Sequence, residues 1–367
     1  MSLSILSVGT ALPPSRVTQA ESVRIAQAFA GMKEDQDNFL SSLYQHSTIA
    51  TRHLAFEQEV VCDILRGTRR SGSVFLPRDD SDHPGPTTQE RMQHYVEQAG
   101  PLAVRAARQA LEESGSTPAE FTHLITVSCT GFSAPGVDVA LIKMLEFPAT
   151  IERTHIGFMG CHGALNGLRV ARAFADAHAD ARILLCAVEL CGLHYHYQRS
   201  PKKMIANALF ADGAAALVGA PGDKAGPAWQ VAASGSCIFA DSEQAMTWNI
   251  GDHGFEMTLA TKVPELIAQN LRPWFVQWLG NNGLRLRDIA SWAVHPGGPK
   301  ILTAVEQALG LDRDATAVSW EVLAECGNMS SATILFLFDR LRKRNAARPC
   351  VALGFGPGLT AEAALLL

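Results

Sequence analysis

The sequence predicts an α/β protein made of two related halves, and three observations carry that prediction. Apolar, β-rich runs alternate with helical ones for most of the length. The series occurs twice, in similar order and length, on either side of PGDKAGPAW at 221–229, the best candidate for a linker. With 367 residues, 47% apolar and 18% charged, the chain can bury one large core or two medium ones.

The first series is HLITVSC, VDVALIKMLEF, a helix beginning at Cys161, RILLCAVEL and GAAALVGA. Its strands are apolar on both faces, as strands buried under helices are. The second is VAASGSCIFA, the helical VPELIAQNLRPWFVQWL, SWAVHPGGP, the helical ATILFLFDRLRKR and CVALGFGPGLTAEAALLL. We read halves of 1–221 and 222–367, with the active site expected where they meet. The polar segment 61–95, with RGTRRSG and PRDDSDHPGP, is expected to form an exposed loop ahead of a long helix at about 88–114.

A net charge of -5 and the lack of a basic run exclude nucleic acid as a partner, while leaving room for a small phosphorylated ligand. The N-terminal MSLSILSVGTALPP has no positive n-region, and no apolar run reaches the roughly 18 residues of a membrane span. A cytoplasmic protein without a membrane span is expected. The eight cysteines include no CxxC pair, so reduced, mostly buried thiols are expected instead of disulfides or a zinc knuckle.

One cysteine stands apart. In GFMGCHGALNGLRVARAF, Cys161 lies between Gly160 and Gly163 at the start of a helix whose face carries Ala164, Leu165, Leu168, Ala171 and Ala175. A helix N-terminus favours a thiolate, and the glycines leave room for a substrate. Cys161 is therefore either an activated nucleophile or one more buried thiol.

A cysteine nucleophile needs a partner. His295 in WAVHPGGPK ends an apolar strand before a Pro-Gly-Gly turn, in competition with His162, His194 and His196. The pair His194 and His196 has no acidic or cysteine ligand at suitable spacing, so no metal site is expected. Asn328 in ECGNMSSA is either a cap or an amide that donates to an oxyanion. GFGPGLT lacks the Lys and following helix of a phosphate loop.

These segments, with ALFADGAAALVG around Phe210, resemble type III polyketide synthases, the chalcone synthase family, in a bacterial-type version. The resemblance is clear from about residue 115 to the C-terminus and looser before it, through GTALPP and STIATRHL. It implies a thiolase-like fold in five αβαβα layers, a homodimer, and a catalytic triad of Cys161, His295 and Asn328. Cys161 would take the acyl group of an acyl-CoA starter; His295 and Asn328 would hold the malonyl-CoA thioester while carbon dioxide leaves. His295 would also pair with the Cys161 thiolate, so that Cys161 alkylates below the pH of a free thiol with pKa about 8.5. Phe210 would be the gatekeeper between the CoA tunnel and the chain-growth cavity; without the resemblance, core packing is the simpler reading of it. No cofactor is implied beyond the CoA thioester substrates.

The same resemblance places Cys129, Cys191, His194, Trp248, Met257, Ser330 and Phe355 around the cavity, and Arg52 and Gly298 at the CoA site. Cys129, Cys191, His194, Trp248 and Met257 depart from the plant pattern, which argues against a chalcone product. An aliphatic starter and an alkylpyrone or alkylresorcinol product are expected. The alternatives are a malonyl-primed synthase making a small aromatic such as tetrahydroxynaphthalene, with Cys129 taking part, and a ketoacyl synthase III-like single condensation. A non-enzymatic thiolase-fold scaffold would have lost Cys, His or Asn, and all three segments are intact.

Overall fold

The computed structural model describes residues 2–32, 38–78, 83–197, 200–222 and 229–367. Most of the expected linker, 223–228, and part of the expected polar loop, 79–82, lie outside the described residues.

Up to Gly222 the elements are β1 (Ser2–Ala11), β2 (Ser15–Thr18), α1 (Gln19–Phe29), α2 (Asn38–His46), β3 (Thr51–Leu54), α3 (Gln58–Arg66), α4 (Thr88–Ser114), β4 (His123–Ser128), α5 (Val137–Leu145), β5 (Glu152–Gly157), α6 (Gly163–Ala177), β6 (Ile183–Leu190), α7 (Pro201–Leu209) and β7 (Asp212–Gly222). From Trp229 they are β8 (Trp229–Ile238), β9 (Met246–Gly251), β10 (Gly254–Leu259), α8 (Val263–Asn281), β11 (Ser291–Val294), α9 (Pro299–Leu309), α10 (Ala317–Cys326), α11 (Thr333–Lys343), β12 (Cys350–Gly356) and β13 (Thr360–Leu366).

The main sheet runs β11-β12-β13-β8-β1-β7-β6-β4-β5. Read outward from the β8/β1 junction, each side repeats one pattern. β1 pairs antiparallel with β7 and β8 with β13; β7 then pairs antiparallel with β6 and β13 with β12; β6 pairs parallel with β4 and β12 with β11. Parallel neighbours need a crossover, and α6 and α11 supply it at equivalent places.

The alternation of side chains along each strand builds the layers. Leu184, Cys186 and Val188 of β6 pack in the core containing Ala103, Ala106 and Ala107 of α4, while Ile183, Leu185 and Ala187 share the central core with α6 and α11. Across that helix pair lie Ala293 of β11 and Ala352 of β12, whose neighbours Val294 and Val351 pack with α8 and α9. The order is helix, sheet, helix, sheet, helix, the thiolase-like arrangement. The run TILFLFD of α11 is apolar with little interruption because that helix is covered on all sides, from Thr333 to Asp339.

Helix α4 begins where Thr87 and Glu90 form a capping box and ends at Gly115, whose φ of 66° is left-handed. The polar segment before it is not all loop. Residues 58–66 form α3, because Val60, Val61 and Ile64 recur at helical spacing and are buried.

Candidate active site

The Cys161 turn is tightly determined. After β5, Phe158 takes a positive φ of 61° and Gly160 one of 77°, and a single 3-10 turn, Gly160–His162, leads into α6. A Cβ on Gly160 would overlap Pro357, and one on Gly163 would come within 2.9 Å of Val127 Cγ1. The sulfur thus sits at the N-terminal approach to α6, where helix polarity favours negative charge.

Asn328 lies opposite. Its Oδ1 accepts from the Ser330 N–H (2.9 Å), which fixes the amide's orientation and leaves Nδ2 facing the Gly297 carbonyl (3.4 Å) and Cys161 Sγ (3.9 Å). His295, just past the end of β11, is anchored by its backbone N–H to the Leu353 carbonyl (2.8 Å). Its Nε2–H donates to the Ser330 carbonyl at 2.9 Å, and that bond sets the tautomer.

The ion pair expected from sequence has no direct hydrogen bond beneath it in this structure. Among the described residues no hydrogen bond joins His295 to Cys161, and both are buried. Burial pushes the Cys161 thiol up to about 11, against hydrogen bonds from Ser330 and Asn328 that lower it. Burial likewise holds the His295 imidazole down to about 4, against the Ser330 hydrogen bond. Burial thus works against charge on each group taken alone.

Three spaces lie in series. An outer groove of about 360 Å³ passes Lys300 and Gly298 and shares Leu209, Gly297 and Ile301 with a small cavity of about 20 Å³. Cys161, His295 and Asn328 line this middle cavity together with Phe355. It shares Cys161, Phe210, Met246 and Met257 with a narrow inner cavity of about 20 Å³, which Cys129, Cys191, Trp248 and Ser330 also line. Phe210 stands between the two inner spaces. Trp248 and Met257 are direct cross-strand partners in the β9–β10 hairpin, and Trp248 Nε1 donates to the Cys129 carbonyl at 2.8 Å.

Of the competing histidines, none lines these inner cavities. His162 bonds Asn166 (2.8 Å), and the His196 backbone bonds Asn207 (3.0 Å). His194, expected at the cavity wall, lies behind it. Its Nε2–H donates to the Thr130 carbonyl (2.7 Å), Nδ1 accepts from the Phe255 N–H (2.9 Å), and Trp248 meets its ring edge-on at 5.9 Å.

Arg52, expected at the CoA site, does not reach it. The side chain is 1% exposed, and its guanidinium is spent on the carbonyls of Asn207, Ala208 and Phe210. Gly298 does line the outer groove, beside Lys300, the one lysine or arginine among the described residues lining it.

Sequence reasoning missed Met246, which faces both inner cavities, and Glu189. Glu189 is fully buried; its carboxylate accepts from the Cys129 N–H (3.1 and 3.0 Å), the Thr130 hydroxyl (2.7 Å) and the Ser331 hydroxyl. Burial outweighs those bonds and raises its pKa to about 7. A lone acidic residue inside RILLCAVEL was the available signal.

Comparison with known proteins places this geometry. Residues 2–222 match the family model "Chalcone and stilbene synthases, N-terminal domain", and residues 230–367 match the corresponding C-terminal domain. The chain is 32% identical to the alpha-pyrone synthesis polyketide synthase-like Pks18 of Mycobacterium tuberculosis, over 98% of this chain and 90% of that protein. It is also 32% identical to the 1,3,6,8-tetrahydroxynaphthalene synthase of Streptomyces peucetius, over 99% and 92%. The crystal structure of PKS-I from the brown alga Ectocarpus siliculosus superposes with a TM-score of 0.91 at 31% identity, covering 100% of this chain and 98% of that one. A buried cysteine, histidine and asparagine on one cavity at the junction of two matched domains thus have their explanation in descent: the chain belongs to the chalcone and stilbene synthase family and is a type III polyketide synthase.

Proposed function

We propose that this synthase loads an aliphatic acyl-CoA starter on Cys161, extends it by repeated decarboxylative condensation with malonyl-CoA, and releases an alkylpyrone or alkylresorcinol. The observation that carries the reading is the series of spaces, with Cys161 facing both the cavity of His295 and Asn328 and the inner cavity beyond Phe210. A thioester entering along Gly297 and Gly298 meets the thiol first.

Neutral His295 takes the Cys161 proton, and the charges so formed stabilise each other in a site that stabilises neither alone. The thiolate attacks the starter carbonyl and CoA leaves. The imidazolium N–H and the Asn328 Nδ2–H then donate to the malonyl thioester oxygen as carbon dioxide departs and the enolate forms. The enolate carbon attacks the acyl carbonyl on Cys161 and the carbon–sulfur bond to Cys161 breaks, giving a lengthened β-ketoacyl-CoA and the free thiolate. That thiolate then attacks the new thioester and expels CoA, returning the chain to Cys161. No metal or redox step enters, so no cofactor is required.

Phe210, Trp248, Met246 and Met257 give the inner wall an apolar character suited to an alkyl chain. A malonyl-primed route to a small aromatic is the second reading, favoured by the narrowness of that space and by Cys129 on its wall. Mass spectrometry of products from malonyl-CoA, alone or with acyl-CoA starters of graded length and without carrier protein, separates the cases. Products whose mass tracks the starter support the first reading, and one aromatic from malonyl-CoA alone supports the second. Silence without carrier protein overturns both in favour of a single-condensation enzyme. The exposed edge strand β5, with exposed Phe132 and Met159 nearby, suits a second copy of the chain, and we take the protein to be a cytoplasmic homodimer.

A further inference from the structure

We propose that Arg52 is a positioning residue: one buried guanidinium fixes both the gatekeeper Phe210 and the amide-bearing Asn328. The inference rests on the roles assigned to those two residues above.

Arg52 lies on β3, and its Nη1 donates to the carbonyls of Asn207 (2.9 Å) and Phe210 (2.9 Å), while Nη2 donates to that of Ala208 (2.7 Å). These carbonyls close α7, where a helix leaves its acceptors unpaired and presents the negative end of its dipole. The Tyr195 hydroxyl gives the Phe210 carbonyl a second donor at 2.7 Å. Asp212, on whose carboxyl the Arg52 charge acts, is itself occupied by the N–H groups of Ala55 and Gly192, both at 2.6 Å. The fork is therefore committed to the helix end and not to a carboxylate.

Two backbone bonds carry that anchoring onward. The Asn328 N–H donates to the Leu209 carbonyl (3.0 Å), and the Ala211 N–H donates to the Asn328 carbonyl (2.9 Å). Phe210 is thus clipped between them, its carbonyl on the guanidinium and its ring against the cavity. Gly327, with φ 74°, lets the Asn328 strand lie this close: a Cβ there would come within 2.9 Å of Ala211 Cβ. A shift of α7's end moves the gatekeeper and the oxyanion donor together.

The test compares Tyr195→Phe, which removes one donor from the Phe210 carbonyl, with Arg52→Lys, which replaces a fork by a point charge. The readouts are malonyl-CoA decarboxylation, the rate at which Cys161 is alkylated by iodoacetamide, and circular dichroism. Both variants should slow decarboxylation, Arg52→Lys by roughly tenfold or more, with kcat falling more than KM rises, while Cys161 alkylation stays within about twofold of wild type. The double variant should fall less than the product of the two, because both act through one carbonyl. Should Arg52→Lys fail to fold, Tyr195→Phe alone decides. Folded variants that decarboxylate at the wild-type rate, or that lose alkylation in equal measure, overturn the proposal. A wild-type protein that releases no carbon dioxide from malonyl-CoA overturns the functional reading instead.

Discussion

Replacing His194 by Gln removes a titrating nitrogen from behind the cavity wall while keeping an amide donor and acceptor there. In the native protein Nδ1 receives the Phe255 N–H and the ring stacks on Phe255 at 4.1 Å, so a second ring proton has no place to point. Burial holds this imidazole down to about 3, against the opposing Thr130 hydrogen bond, whereas the unfolded chain titrates it near 6.5. Between those values the unfolded state binds the extra proton. The stabilisation is complete above about 6.5 and is lost as pH falls towards 3. At about 1.36 kcal/mol per unit, the fall from 6.5 to 4.5 costs about 3 kcal/mol through this residue. Urea unfolding of wild type and His194→Gln at pH 7.5 and 4.5 measures it. The wild type should lose about 3 kcal/mol more than the variant, since His196, His295, Asp212 and Glu189 are common to both. Parallel losses would refute the claim that burial holds His194 neutral in the folded protein.

Two further predictions concern the reaction itself. Trp248→Gly should open the inner cavity and shift products to longer chains or bulkier starters, read by product mass; an unchanged distribution would show that Trp248 does not set the size. His295→Gln should slow alkylation of Cys161 by iodoacetamide at pH 7.5 by at least about tenfold, because the thiol loses its proton acceptor; equal rates would remove His295 from that role.

That Cys161, His295 and Asn328 share one cavity was legible because each occupies a junction that sequence marks: a cysteine between glycines before a helix, a histidine between an apolar strand and Pro-Gly-Gly, an asparagine before an apolar helical run. The layered fold was legible in the repeated order of strands and helices. Arg52 was misread because it was assigned to the CoA site by resemblance alone. The signal against that reading is period-2 alternation in β3, where Arg52 shares a buried face with Leu54 while Thr51 and His53 lie on the other. His194 was misread because resemblance gives a position along the chain and not the direction of a ring. The burial that works against charge on Cys161 and His295 was hidden for a different reason: it comes from residues far apart in sequence, which helix position alone does not reveal. The α3 helix was masked by its polar residues, although Val60, Val61 and Ile64 carry its buried face.

The account turns on Cys161 as the nucleophile in a cavity that also presents Cys129 and Cys191. The direct test is to incubate the protein with a starter acyl-CoA, digest it with trypsin and map the acyl group by mass. Residues 154–169 form a peptide whose only cysteine is Cys161. The account predicts the acyl group on that peptide, and its absence in Cys161→Ala with the other two thiols intact. An acyl group on Cys129 or Cys191 of the wild type, or undiminished acylation of Cys161→Ala, would contradict it.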